Sequence, residues 1–86
     1  MADLNLDRIP ILCFYTVLTY VNNSITADRT KLTDLKFFYN GLDSKHKCYF
    51  RKAVYQMEER FISEEVFLPK WLIQFEAFIE NDSSGS

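Results

Sequence analysis

Apolar residues recur at steps of three and four along most of this chain, and this spacing constrains the fold more than any other feature. The clearest stripe contains Leu32, Leu35, Phe38, Tyr39 and Leu42. Residues at this spacing lie on one face of an α-helix, so the stripe predicts an amphipathic helix over 26–40. Thr26 is the expected N-cap, and Asn40-Gly41 is expected to end the helix with Gly41 in the left-handed conformation.

Two later stripes predict two more helices. Asp43 or Ser44 is expected to cap a helix that runs to about Phe61. Its inward residues are His46, Tyr49, Phe50, Ala53, Val54, Met57 and Phe61. Pro69 would break a helix interior, so we expect a short helical turn at 64–67 and a new helix with Pro69 in its first turn. The stripe of this last helix contains Leu68, Trp71, Leu72, Phe75, Phe78 and Ile79.

The segment 11–21 is apolar on nearly every side of a helix. Asp7 is its expected N-cap, with Pro10 in the first turn. A helix of this kind is typical of the centre of a bundle, where Cys13 would be a small buried hydrophobe. The segment is also rich in β-branched and aromatic residues, so a buried strand is the alternative. The helix is preferred because no segment of comparable character offers itself as a partner strand.

These patterns predict a small all-α domain with four helices and a short helical turn before Pro69. The arrangement is expected to be up-and-down or orthogonal, with the first helix central and the last closing the bundle. A chain of 86 residues holds one domain. Its expected extent is 7–80, preceded by a flexible leader over 1–6 and followed by a disordered tail or cloning remnant over 81–86.

Net charge and targeting signals limit where the protein is expected to act. The formal charge of −2 argues against bulk attraction to nucleic acid or to an anionic membrane. Residues 1–7 lack the features of a secretory signal, and the apolar run 9–21 is too short to span a bilayer. Two cysteines do not form a disulfide framework. We expect an intracellular protein, cytoplasmic or nuclear, that is not secreted and does not associate with a membrane.

No residue pattern typical of catalysis or metal binding accompanies these helices. His46 and Cys48 are two apart, so on a helix their side chains diverge. One histidine and two separated cysteines are too few ligands for a metal site. The adjacent pairs Glu58–Glu59 and Glu64–Glu65 also point apart, as solvated surface does. We therefore expect no enzyme activity, no cofactor and no small-molecule substrate.

Fourteen aromatic residues, eight of them Phe, exceed what a bundle of this size can turn inward. Three consecutive helical residues span about 200°, so Phe37 is expected to point outward when Tyr39 points inward. Tyr55 and Ile62 are expected outward when Phe50 is inward. An exposed apolar patch marks a binding surface. The candidate interface residues are Phe37, Tyr39, Tyr55, Ile62, Trp71, Phe75 and Phe78.

The last three of these candidates allow two interpretations. Trp71, Phe75 and Phe78 have the spacing of anchors on a helix that lies in a partner's groove. The same stripe can instead close the protein's own core, and this interpretation is favoured. The leading hypothesis is a protein–protein interaction module for adaptor, docking or dimerisation roles. Its partner would be another protein or a second copy of the chain.

A basic patch supports the alternative function. Lys45, Lys47, Arg51 and Lys52 lie close together, and no acidic residue occurs between 45 and 55. The predicted helices 26–40 and 44–61 form an αα-hairpin, which resembles a helix-turn-helix that binds nucleic acid through its second helix. The acidic net charge argues against this function. A solvated cationic face and a docking surface for an acidic protein are the other interpretations.

Overall fold

The computed structural model describes residues 2–85, with side chains from Arg8 to Asp82, and this range folds into four α-helices and no strand. The helices are α1 (Ala2–Asn23), α2 (Asp28–Asn40), α3 (Ser44–Ser63) and α4 (Lys70–Gly85). The predicted all-α fold with four helices is confirmed, and the strand alternative for 11–21 is wrong. α1 and α4 also extend into the ranges assigned to a leader and a tail. Met1 and Ser86 lie outside the described residues.

Side-chain contacts between the helices give the arrangement. α1 packs against α3, α2 packs against α4, and α3 also packs against α4. α2 runs back along α1, because Lys31 Nζ donates to the Asn22 carbonyl at 3.1 Å while the Phe38 ring lies 6.1 Å from that of Phe14. α4 runs opposite to α3, because Tyr55 bonds Glu80 while the later Glu58 interacts with the earlier Glu76. The helices therefore alternate in direction along the chain, and α3 has a helix on two sides.

The hydrophobic core is centred on α3 and α4, each of which contributes four buried side chains. α1 and α2 contribute two each. The buried residues are Phe14, Leu18, Leu35, Tyr39, Phe50, Ala53, Val54, Met57, Trp71, Leu72, Phe75 and Ile79. The prediction of a central α1 is wrong, since this helix is covered by the rest of the fold along one side only. Cys13 is correspondingly exposed rather than buried.

The ends of α2 differ from the predicted caps. The N-cap is Ala27, which offers no side-chain hydrogen bond, whereas the Thr26 hydroxyl pairs with that of Ser24 at 2.9 Å. Gly41 has φ −82°, so the predicted left-handed conformation is wrong. Its N–H bonds the Phe38 carbonyl at 3.2 Å, which tightens the last turn without reversing the sign of φ. The connection to α3 is nevertheless as short as predicted.

Asp43 caps α3, as predicted. Its carboxylate accepts a hydrogen bond of 2.8 Å from the His46 N–H, and this bond lowers the pKa of Asp43. α3 ends in a turn at residues 64–65, in which Glu65 takes the left-handed φ of 58°. Residues 66–69 follow without regular structure, and Pro69 lies one residue before α4 rather than in its first turn. Pro10 lies inside α1, because that helix begins well before the predicted Asp7 cap.

Candidate functional site

Phe37 is the most exposed of the predicted interface residues. Its side chain is 84% exposed near the end of α2, which confirms that it points outward. The adjacent Phe38, expected inward, lies partly exposed although its ring still contacts Phe14 and Phe50. A shallow groove of about 650 Å³ lies beside them. Its lining residues are Thr33, Asp34, Phe37, Phe38, Gly41 and Leu42.

Tyr39 belongs to the core rather than to the surface. It is fully buried, and its hydroxyl accepts a hydrogen bond of 2.7 Å from Arg51 Nη1. The same hydroxyl lies 3.4 Å from Asp82 Oδ2, to which it can donate. Burial raises the pKa of Tyr39, against the opposing effect of Arg51. The phenol therefore stays neutral and acts as a buried polar link between α2, α3 and α4.

The predicted basic patch is divided by this link. Lys47 Nζ lies 5.2 Å from the Tyr39 ring centroid, and Arg51 bonds its hydroxyl. Lys45 and Lys52 are exposed. The predicted inward position of His46 is wrong, since its ring lies at the surface with Nδ1 2.7 Å from Asp43 Oδ1. Half of the predicted basic patch is thus engaged within the fold.

The aromatic stripe of α4 faces the protein's own core. Trp71 and Phe75 are fully buried, and Phe78 is partly buried. The Phe75 and Phe78 rings stack with centroids 6.0 Å apart, and Trp71 Nε1 donates to Asn22 Oδ1 at 3.2 Å. This confirms the favoured interpretation, in which the stripe closes the core. In the folded domain Trp71 and Phe75 have no surface to offer a partner.

The two remaining candidates differ in exposure. Tyr55 is partly buried against the core, and its hydroxyl donates to Glu80 Oε2 at 3.3 Å. Ile62 is largely exposed, as expected. Further exposed apolar residues lie in and next to the α3–α4 connection, and the sequence analysis did not single them out. They are Val66, Phe67 and Ile73.

The outer face of α1 is an exposed apolar surface that the sequence did not predict. Leu12 is 62% and Tyr20 is 79% exposed, and Ile9, Cys13 and Thr16 on the same face are also exposed. The signal was present in the sequence, since the segment is apolar all round. Such a pattern predicts complete burial, whereas the structure covers the inner face alone.

A buried carboxyl lies between α3 and α4. Glu76 is 8% exposed, and its Oε2 has no hydrogen-bond partner among the described residues. Burial, with repulsion and hydrogen bonding from Glu58 and repulsion from Glu80, raises the pKa of Glu76 to about 7. Glu58 therefore lies next to the Glu76 carboxyl across the α3–α4 interface. The adjacent pair Glu58–Glu59 in the sequence did not predict this neighbour.

Comparisons with known proteins do not place the chain in a family. No protein-family model matches it, and neither the curated proteins nor the solved structures contain a detectable match. Among the described residues, no group of three or more His, Cys, Asp or Glu is arranged to hold a metal ion. None of the helices in that part of the chain is both long and apolar enough to cross a membrane.

Proposed function

We propose that this domain is a protein–protein interaction module that binds through exposed apolar helix surfaces and catalyses no reaction. The observation that carries the proposal is Phe37, which stands almost fully exposed beside a groove of about 650 Å³. Covering a side chain of this type contributes about 1.5–3 kcal/mol to binding. Tyr39 and Leu35, rather than the exposed Phe37, anchor α2 in the core.

The groove lining indicates the chemistry of the partner. Phe38, Gly41 and Leu42 offer apolar and backbone surface, and Asp34 adds a carboxylate to the lining. An apolar side chain on the partner would pack against this apolar surface, and a neighbouring basic residue would pair with Asp34. We propose this chemistry for adaptor or docking roles. The exposed, unpaired Cys13 thiol suits a reducing, intracellular compartment.

Nucleic-acid binding has less support as the alternative. Within the basic patch, Lys47 and Arg51 are directed to Tyr39, so Lys45 and Lys52 are its two exposed cations. The net charge of the chain is −2. Phosphate-driven binding weakens steeply with salt, whereas apolar association is nearly indifferent to it. Charge reversal at Lys45 and Lys52 tests this alternative and leaves Tyr39 undisturbed. Reversal at Arg51 would instead remove the hydrogen bond to the Tyr39 hydroxyl.

The test compares capture of binding proteins from cell extract by immobilised wild type, Phe37→Glu and Gln74→Glu, at about 0.1 M and about 1 M salt. Gln74 is exposed on α4, so it adds the same charge away from the groove. We expect salt-resistant capture by wild type and Gln74→Glu, and a loss of about tenfold or more with Phe37→Glu. Capture that survives Phe37→Glu shows that the groove is not the binding surface. Loss only upon reversal of Lys45 and Lys52 favours nucleic acid or an acidic partner.

A further inference from the structure

The outer face of α1 is apolar, uncharged and uncovered. No Asp, Glu, Lys, Arg or His occurs from residue 9 to residue 27. A helix that is apolar all round is normally covered on all sides. Phe14 and Leu18 are buried on the inner face, while Leu12 and Tyr20 remain largely exposed on the outer face. A copy of the same face can cover residues 9–20 without desolvating a charge on α1 within that range.

The two ends of this face differ in shape. Tyr20 projects from one end, and a groove of about 580 Å³ lies between α1 and α3 beside the other end, about 16 Å away along the helix. The groove is lined by Arg8, Ile9, Ile11, Leu12 and Gln56. This lining offers Ile9 and Leu12 to the apolar body of a phenol ring, and Arg8 and Gln56 to its hydroxyl.

We infer that two copies of this chain pair through the outer faces of α1, antiparallel about a two-fold axis, with each Tyr20 ring in the partner's groove. Residues whose numbers add to about 29 face each other in this register, so Ile9 meets the partner's Tyr20 and Cys13 meets the partner's Thr16. A two-fold axis uses the projection and the groove of both copies at once.

Charge favours the antiparallel direction. Arg8 lines the groove beside the N-terminal end of the face. Parallel pairing would place two Arg8 side chains side by side. Antiparallel pairing separates them and directs each toward the partner's α1 C-terminus, which has no basic residue in its last turn and carries partial negative charge. Lys31 Nζ already bonds the Asn22 carbonyl there, on the α2 side.

The pairing deepens the proposed function by naming one partner, but it uses a different surface from Phe37. The face spans residues 9–20 of a single helix, so we expect it to bury less area than the roughly 800 Å² per partner of a standard interface. We therefore expect a Kd on the order of 1–100 μM. Variants of α1 and of Phe37 therefore separate the two proposals.

The first experiment is sedimentation equilibrium of the intact chain across this concentration range. We expect wild type to reach twice 10.2 kDa. Leu12→Glu places two carboxylates in the interface and should raise the Kd about tenfold or more. Phe37→Glu, the matched control, should leave the Kd unchanged. Circular dichroism checks that each variant is folded.

The second experiment uses the native cysteines. In Cys48→Ser, a short bismaleimide should join two Cys13 thiols, since packed helix axes lie about 8–10 Å apart. Cys13→Ser should not cross-link at the same concentration, and adding Leu12→Glu to Cys48→Ser should reduce the cross-linked fraction. Tyr20→Ala should reduce it as well, whereas Tyr20→Phe should retain it.

Three outcomes overturn the inference. One is a monomer at every concentration with no Cys13 cross-link. Another is a dimer that Phe37→Glu dissociates and Leu12→Glu does not, which would keep the proposed function and move the self-association to α2. The third is a monomer that floats with phosphatidylcholine vesicles and loses this binding with Leu12→Glu, because the occupant would then be lipid.

Discussion

Tyr39 illustrates how single residues in this domain combine apolar and polar roles. Its ring packs edge-on against Phe50, Phe75 and Phe78, while its hydroxyl bonds Arg51. The stripe on α2 correctly indicated that Tyr39 faces inward. It carried no information on Arg51, because the partner lies twelve residues later on another helix.

Replacing Tyr39 by Phe should therefore cost stability although the ring is retained. Arg51 would lose its acceptor in a partly buried setting, for which we expect a loss of about 0.5–1.5 kcal/mol. Urea unfolding at neutral pH measures it. Tyr55→Phe is the control, because its longer bond to Glu80 is exposed and should contribute less. Equal effects of the two substitutions would contradict the role assigned to Arg51.

The buried Glu76 carboxyl should make stability depend on pH. Its folded-state pKa of about 7 exceeds the unfolded value near 4.3, so the folded protein binds more protons between these values. This group therefore destabilises the fold as pH rises from about 5 to 8, and its contribution is constant above that range. Allowing for solvent screening, we expect Glu76→Gln to stabilise the protein by about 1–2 kcal/mol at pH 8 and little at pH 5.

Urea unfolding at both pH values measures this difference. Glu59→Gln is the control, since Glu59 is exposed one residue from Glu58. An identical pH slope in wild type and Glu76→Gln would show that Glu76 does not titrate in this range.

At the scale of elements, α4 and α1 exchange the positions that their sequences suggested. The amphipathic α4 supplies four core residues, whereas the more apolar α1 supplies two. α1 has an apolar surface on every side, but only α3 packs along it extensively. The amount of apolar surface on a helix therefore did not indicate its depth in this bundle.

Truncations on these two helices should differ sharply in cost. Trp71→Ala removes a fully buried ring, for which we expect a loss of about 3–5 kcal/mol and, in a domain of this size, extensive unfolding. Leu12→Ala on the outer face of α1 should change stability by less than about 0.5 kcal/mol in dilute solution. Thermal unfolding followed by circular dichroism compares them. A large loss with Leu12→Ala would place that residue in the core.

The end of α2 offers a test of its unexpected geometry. Because Gly41 has a right-handed φ of −82°, alanine is compatible with its backbone. An added Cβ would meet the Phe38 carbonyl oxygen at 3.5 Å, an ordinary contact. Gly41→Ala should therefore stabilise the protein by about 0.4–1 kcal/mol through the unfolded chain, measured by urea unfolding. Destabilisation would instead support the left-handed cap predicted from the sequence.

At the scale of the whole molecule, several large apolar side chains lie outside the core. Phe37 and the outer face of α1 are exposed on different helices, and Phe67 is exposed before α4. These surfaces support an interaction role better than any cluster of polar groups does. Separate surfaces also allow self-association and partner binding in one domain, as the Phe37 and Leu12 variants test.

The sequence alone determined the helices and several of their ends. Backbone hydrogen bonds in a helix join residues four apart, so the spacing of Leu35 and Tyr39, the cap at Asp43 and the break at Pro69 act locally and can be read along the chain. The outward direction of Phe37 follows from the same geometry.

Only the tertiary structure decided which apolar faces are covered. Burial depends on which helix packs on which side, and an all-round apolar pattern such as that of α1 fits both a covered and an uncovered face. The contacts of Tyr39 with Arg51 and of Glu76 with Glu58 likewise join residues that become neighbours when the helices pack. Helix formation is local and its signals are local, whereas packing brings together residues that no spacing along the chain relates.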